Sequence, residues 1–264
     1  MISGILTIPY FLPHVRVIKT GGIIPMQVQT TQYIFPPRPK NCIPRSETSI
    51  MADMNWIGQL KYNGTRILVK YLPSLTGRSE DVPVELWNRH GNRLWDYTVP
   101  EDLLGQLRDL HSYLPISPLE TSILDGELID MKHKALKDTI AIWDILVKDS
   151  EHLVGSTYQE RYDLIAPTAQ DYVFSAPHGK FVFGKKYTKD ILRPVSRDSR
   201  HWDSMWDVVN AVNEPYKTAN GTLAPLLEGL VFKNPLGTLE PGWKEKNNED
   251  WLCRSRVKTG RHLF

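Results

Sequence analysis

Lys61-Tyr62-Asn63-Gly64-Thr65-Arg66 brings a lysine, an Asn-Gly pair and an arginine together between two apolar runs. Trp56-Ile57-Gly58-Gln59-Leu60 before it and Ile67-Leu68-Val69 after it read as strands. Asn-Gly between two strands is a strong signal for a tight reversal, so the stretch predicts a β-hairpin with Lys61 fixed at a strand end. From average residue usage, a Lys-x-Asn-Gly-x-Arg string arises by chance in roughly one chain of this length in several hundred. Alone, it is also what a hairpin with solvated basic ends looks like.

Working outward, strands are expected at 56–61, 66–72, 83–89, 121–130, 139–147, 181–187, 226–233 and 250–258, and their short connections favour antiparallel pairing. Helices are expected at 100–113, where Leu103, Leu107, Leu110 and Leu114 share a face, and at about 157–166 behind a Ser156/Gln159 capping box. A third is expected at 202–213, with Trp202, Trp206 and Val209 on one side. Residues 1–52 carry many prolines without periodicity and read as an extended arm or irregular lead-in, leaving 53–264 as the main domain. The mixture predicts an α+β fold, helices packed outside antiparallel sheets.

The 264 residues suffice for a substantial core. No stretch approaches the roughly 18 to 20 apolar residues of a membrane span, and the N-terminus lacks the features of a secretory signal, so the cytoplasm is the expected location. Cys42 and Cys253 have no zinc-site spacing and are expected to be buried thiols. With a net charge of +2, nucleic-acid binding needs a local patch. Lys132, His133, Lys134 and Lys137 form one cluster, and Lys180, Lys185, Lys186 and Lys189 with Tyr187 form another, although solvated lysines explain both equally well.

Further segments follow in order: Asn88-Arg89-His90-Gly91, Leu124-Asp125-Gly126-Glu127-Leu128, Ile142-Trp143-Asp144-Ile145-Leu146, Glu228-Gly229-Leu230-Val231-Phe232-Lys233 and Trp251-Leu252-Cys253-Arg254-Ser255-Arg256. As a set over residues 56 to 258, they resemble the ordered motifs of the covalent nucleotidyltransferases: ATP-dependent DNA ligases, RNA ligases and mRNA capping enzymes. Pro36 to Pro39, the Trp-Asn-Arg-His-Gly strand and the Asn-Asn-x-x-Trp tail are most similar to the bacteriophage-type DNA ligases. The resemblance implies two antiparallel sheets with flanking helices around a nucleotide-binding cleft, an ATP-grasp-like nucleotidyltransferase domain. The chain stops just after the last strand, so no C-terminal OB domain is expected.

The resemblance also implies roles. Lys61 would attack the α-phosphate of ATP, release pyrophosphate and carry AMP. A lysine amine ordinarily holds its proton up to a pKa near 10.4, so such use requires neighbouring cations or desolvation, for which Lys233 and the terminal arginines are candidates. Asn63 stands where relatives more often carry aspartate. Arg66 would bind ribose or a phosphate, and Leu60 and Arg89 would line the nucleotide site. Gln59 shares a face with Lys61 and has the amide to read adenine, as would any surface glutamine. Glu127 would contact the ribose, and Glu228 the α-phosphate and magnesium. Both are assigned to the metal, because unpaired carboxylates repel phosphates.

Trp143 would stack on the base, though as one of eight tryptophans it suits the core as well. Lys233 follows Glu228 by five residues, so a regular strand points the two to opposite faces; the resemblance implies that both reach the cleft, which requires a bulge or bend. Arg254, Arg256 and Lys258 alternate on one face. Relatives place lysines two and four residues after the tryptophan, whereas here arginines stand at three and five, leaving the register open. Arginine stabilises a crowded phosphate without donating its proton.

The reading is an ATP-dependent DNA ligase domain, a monomer acting on nicked duplex DNA with ATP and Mg2+ and without membrane contact. RNA ligase, capping guanylyltransferase and a retired fold that only binds nucleotide or nucleic acid are the alternatives.

Overall fold

The apolar runs resolve into nine strands and three α-helices among the residues that the computed structural model describes, 33–48, 56–129, 138–170, 199–214, 225–245 and 247–257. The strands are β1 (Arg38–Cys42), β2 (Ile57–Tyr62), β3 (Thr65–Tyr71), β4 (Val84–Asn88), β5 (Ser122–Ile129), β6 (Thr139–Lys148), β7 (Glu151–His152), β8 (Leu227–Lys233) and β9 (Asn248–Arg256). They form one sheet ordered β1-β9-β8-β2 and a second ordered β4-β3-β5-β6-β7. The helices are α1 (Glu101–Tyr113), α2 (Tyr158–Gln170) and α3 (Ser199–Asn213). Among the described residues no helix is long and apolar enough to cross a membrane. The strand expected at 181–187, both lysine clusters and Lys258 lie outside the described residues.

Three expectations are corrected. Asn63-Gly64 is not a hairpin turn: β2 pairs with β8 in the first sheet and β3 with β4 and β5 in the second, so the dipeptide carries the chain from sheet to sheet. Neither residue has a positive φ. Gly64 is instead demanded by space, since a Cβ there would meet the Leu128 carbonyl oxygen at 2.3 Å. The lead-in, in turn, is not irregular throughout. Arg38–Cys42 joins the first sheet alongside β9 in parallel, so that sheet is mixed rather than antiparallel. Parallel pairing is open to β1 because no short loop links it to its partner. Finally, Cys42 is exposed on this edge strand, while Cys253 is buried.

Alternation on β3 sorts the second sheet's faces. Ile67, Val69 and Tyr71 join the main core, with the Tyr71 hydroxyl donating to the Leu107 carbonyl of α1 at 2.9 Å, whereas Leu68 belongs to a smaller core with Ile34, Ile123 and Leu146. On α1, Leu103 and Leu107 are buried, as is Leu114 just beyond it; the side chain of Leu110 is not described. The cap of α2 lies one residue later than expected. Glu160 accepts from the Thr157 backbone N–H at 2.7 Å, and the Glu160 N–H donates to Thr157 Oγ1 at 3.2 Å, while Ser156 donates to the Leu153 carbonyl. On α3, Trp206 and Val209 are buried, and Asn213 bonds both the N–H and the C=O of Leu227, fixing the helix to the start of β8.

A buried ion pair joins α2 to the second sheet. Arg161 Nε donates to Asp144 Oδ1 at 2.9 Å, both side chains are fully enclosed, and Arg161 also donates to the Ser156 carbonyl. Removing one member strands the other's charge in the interior. Arg161→Met is expected to cost about 3–5 kcal/mol in urea denaturation. Adding Asp144→Asn to it should restore part of that loss.

Candidate functional site

Glu228 occupies the one position where β8 departs from regular pairing. Lys61 lies opposite Gly229 and Tyr62 opposite Leu227, so Glu228 is the extra residue of a β-bulge. Gly229 makes this possible. Its φ of +135° is disfavoured for other residues, and a Cβ would meet the Ser255 carbonyl oxygen at 2.1 Å. The bulge turns the Glu228 carboxylate inward, where Oε2 lies 2.5 Å from Lys61 Nζ and 3.3 Å from an Arg256 guanidinium nitrogen. Glu228 and Lys233, five residues apart, therefore reach the same cleft.

Register aligns the rest of this wall. Gln59 lies opposite Val231, which lies opposite Arg254, and Gly229 lies opposite Arg256, so Gln59, Lys61, Arg254 and Arg256 share one face. This fixes the register of the last basic motif, with both arginines turned to the cleft. Among the described residues, Gln59 Nε2, Arg254 Nε and Arg256 Nε are buried donors without a hydrogen-bond partner. Unsatisfied buried donors are costly, and a bound ligand with hydrogen-bond acceptors is one way to satisfy them. Lys233 sits deeper, 4% exposed, with Nζ 3.4 Å from the Trp143 carbonyl oxygen and 4.2 Å from the Tyr158 ring centre. Burial drives its pKa down to about 7, against the pull of Asp144 and Asp125.

The second sheet supplies the facing wall. Asp125 and Glu127, two apart on β5, project the same way. Asp125 clasps Arg66 through both guanidinium Nε, at 2.9 Å, and Nη2, and accepts from the Trp143 indole N–H at 2.9 Å. Arg66 thus enters the site already neutralised, and the Trp143 ring is held by its nitrogen. Glu127 accepts the Gly64 N–H at 2.9 Å, and burial raises its pKa despite the opposing Lys61 charge. Asn63 donates from its amide to the Pro225 carbonyl at 2.7 Å, a bond that an ionised aspartate at this position is unable to make.

Gln59, Leu60, Lys61, Arg66, Arg89, Glu127, Trp143, Glu228, Lys233, Arg254 and Arg256 all line one cavity of about 450 Å3. Sequence reasoning missed Asp125, Asp144 and Arg38, which line it too. Asp125 was detectable, since it alternates with Glu127. Arg38 lay within the Pro36 to Pro39 stretch of the resemblance, but its strand is defined by a partner some 210 residues away, which no local pattern reveals.

Magnesium is commonly held by one or two carboxylates together with substrate phosphates. Glu127 and Glu228 in one cleft fit that mode. Among the described residues no group of three His, Cys, Asp or Glu is arranged to cage a metal ion.

No protein-family profile matches the chain, and a search of curated proteins returns no match. The solved structures that the chain is similar to include DNA ligases. The ligase domain of M. tuberculosis LigD is 16% identical with a TM-score of 0.43, over 76% of this chain and 53% of that one. The structure named Pmar-Lig_PreS3 is 14% identical with a TM-score of 0.47, over 85% and 47%. A Lig E DNA ligase is 13% identical with a TM-score of 0.39, over 76% and 62%. The chain thus spans about half the length of the first two. These are likenesses of fold, and the chemistry of the cleft rests on its own side chains.

The depressed Lys233 pKa has a signed consequence. Between about 7 and the ordinary 10.5, the unfolded chain binds a proton at this lysine that the native protein does not, so stability rises with pH across that window. Denaturation of the ligand-free protein from pH 6.5 to 10 should show this rise, and Lys233→Met should flatten it.

Proposed function

We propose that this cleft carries out covalent nucleotidyl transfer, taking ATP, linking AMP to Lys61 and passing it to the 5′-phosphate at a nick in duplex DNA, as an ATP-dependent DNA ligase does. The observation that carries this reading is the wall around Lys61. A lysine amine shares a carboxylate with Arg256 there, and among the described residues Gln59 Nε2 and the Nε of Arg254 and Arg256 have no hydrogen-bond partner. An anionic nucleotide with hydrogen-bond acceptors is the chemical complement of that wall.

The Lys61 nitrogen forms a bond to the α-phosphorus as the bond to the bridging oxygen breaks, pyrophosphate leaves, and the amine gives up its proton. Glu228 aims the amine, and Arg256 holds Glu228 from the other side. Arg254 and Arg256 offset the charge that develops on the transferring phosphate. Trp143, held by Asp125, offers a face for the base, and Gln59 Nε2 a donor to one of its ring nitrogens. Magnesium held by Glu228 and Glu127 would neutralise phosphate charge and polarise the phosphoryl group. In the sealing step the strand's 3′-hydroxyl attacks the activated 5′-phosphate and AMP departs.

Incubation with ATP and magnesium should add the mass of one AMP to the intact protein and to no position in Lys61→Ala. The absence of an adduct with any nucleoside triphosphate would remove the covalent mechanism, and labelling by GTP alone would favour a capping activity. A panel of nicked DNA, RNA and hybrid duplexes then identifies the strand that is sealed.

Glu228→Ala and Lys233→Ala should each slow AMP transfer to Lys61 by about 10²-fold or more while preserving the fold, as loss of a charge-directed contact at a reacting phosphate does. Single-turnover labelling together with a melting curve checks both. Wild-type rates in either variant would reduce that residue to a strand component.

A further inference from the structure

The turn that follows β4 is fixed by its own backbone. Asn88 Oδ1 accepts the N–H of His90 at 2.9 Å and of Asn92 at 3.1 Å, and the Asn88 carbonyl accepts the Gly91 N–H at 3.1 Å. Gly91 supplies the φ of +84° that closes the turn. Tyr33 braces it from outside, its hydroxyl donating to the Asn88 carbonyl at 2.8 Å. Arg89 and His90 therefore project from a rigid backbone.

Their side chains are bonded in series. Arg89 Nε donates to His90 Nε2 at 3.2 Å, and His90 Nδ1 lies 2.6 Å from Glu245 Oε1. A guanidinium only donates, so Nε2 accepts, the ring proton sits on Nδ1, and Glu245 receives it. Glu245 belongs to the connection from β8 to β9, so the imidazole bridges a turn of the second sheet to a loop of the first. Arg89 lines the cleft and His90 does not.

We infer that His90 is a positioning residue: its neutral imidazole, anchored on Glu245, fixes the direction in which Arg89 meets the nucleotide. The assignment rests on the nucleotidyl-transfer reading for its ligand. An arginine side chain held before the ligand arrives loses less rotamer freedom on binding. The ring suits this because it accepts at one nitrogen and donates at the other. A second proton would occupy Nε2, remove the acceptor and set a positive charge beside Arg89, while the pair with Glu245 persists. Arg89 is thus held by the neutral ring and released by the charged one. The other charged groups at this rim are Arg38 of β1, on which Arg89 and Glu245 act in opposite senses, and Lys244 beside Glu245 in the chain. Tyr33 stays neutral, because burial raises its pKa.

Two substitutions separate positioning from a simple bridge between loops. His90→Gln accepts and donates as the neutral ring does and does not titrate, whereas His90→Lys keeps the ion pair with Glu245 and accepts nothing. The probe is α,β-methylene-ATP, whose bridging carbon blocks transfer to Lys61. The readout is the factor by which Arg89→Gln weakens its binding, taken in each His90 background. The charge that a lysine adds to the rim and the titration of the probe's own phosphates cancel in that factor. It should be roughly tenfold in the wild type and in His90→Gln, and smaller by about twofold to tenfold in His90→Lys, the worth of one hydrogen bond. Between about pH 8 and about pH 5.5 it should shrink in the wild type and hold in His90→Gln. Without ligand, the Arg89 Nε–H, identified by NMR through its loss in Arg89→Gln, should exchange with solvent faster in His90→Lys than in the other two.

A factor equal in all three backgrounds and constant with pH overturns the positioning role. Equal loss in the glutamine and lysine variants reduces the ring to packing and overturns it as well. Wild-type affinity in Arg89→Gln removes the contact through which His90 is said to act. A wild-type protein that binds no nucleotide defeats the transfer reading instead, and the exchange rates still decide whether His90 holds Arg89.

Discussion

The bulge at Glu228 is the constraint on which the cleft depends. A regular β8 would send Glu228 and Lys233 to opposite faces of the sheet, and only one would meet Lys61's side. A single extra residue, made possible by Gly229, reverses this for Glu228 without disturbing the pairing from Gly229 to Lys233. The carboxylate then binds Lys61 from β2 and Arg256 from β9, linking the strands on either side of β8. Positioning thus comes from backbone geometry, which is stiffer than side-chain packing.

The facing wall follows a different economy. Arg66, Asp125 and Trp143 come from three adjacent strands and are joined through one carboxylate, so they act as a unit. That wall is thereby electrically quiet. The excess positive charge stands elsewhere, on Arg38, Arg89 and Arg254 towards the β1 edge and the facing rim. Such a separation of neutral and charged surface within one cleft is what an amphipathic ligand with an apolar ring and an anionic tail requires.

Much of this was legible in the sequence, and the failures have physical causes. Alternation and apolar runs located every described strand after β1 apart from the two-residue β7, and a bulge or bend near Glu228 followed from the spacing to Lys233 once the resemblance put both residues in the cleft. The Asn63-Gly64 hairpin was misread because Asn-Gly carries the same letters whether it supplies positive φ or merely lets two backbones approach. Only the position of the Leu128 carbonyl distinguishes the two. β1 was invisible because its stability derives from a parallel partner far along the chain, which no local window contains. The α2 cap slipped by one residue because Ser156 and Thr157 are both competent caps, and the Ser156 hydroxyl is spent on the Leu153 carbonyl three residues back while Thr157 bonds Glu160.

The parallel pairing of β1 with β9 bears on how the protein is made. These strands are separated by some 210 residues, so the outer edge of the cleft can close only after nearly all the described chain has left the ribosome. Before then β8, β9's neighbour within the sheet, has an unpaired side, and the arginines of the rim stand apart. Ligand affinity should therefore appear late and abruptly during synthesis, and nascent chains that stall short of residue 248 would carry Lys61 without the wall that gives it purpose.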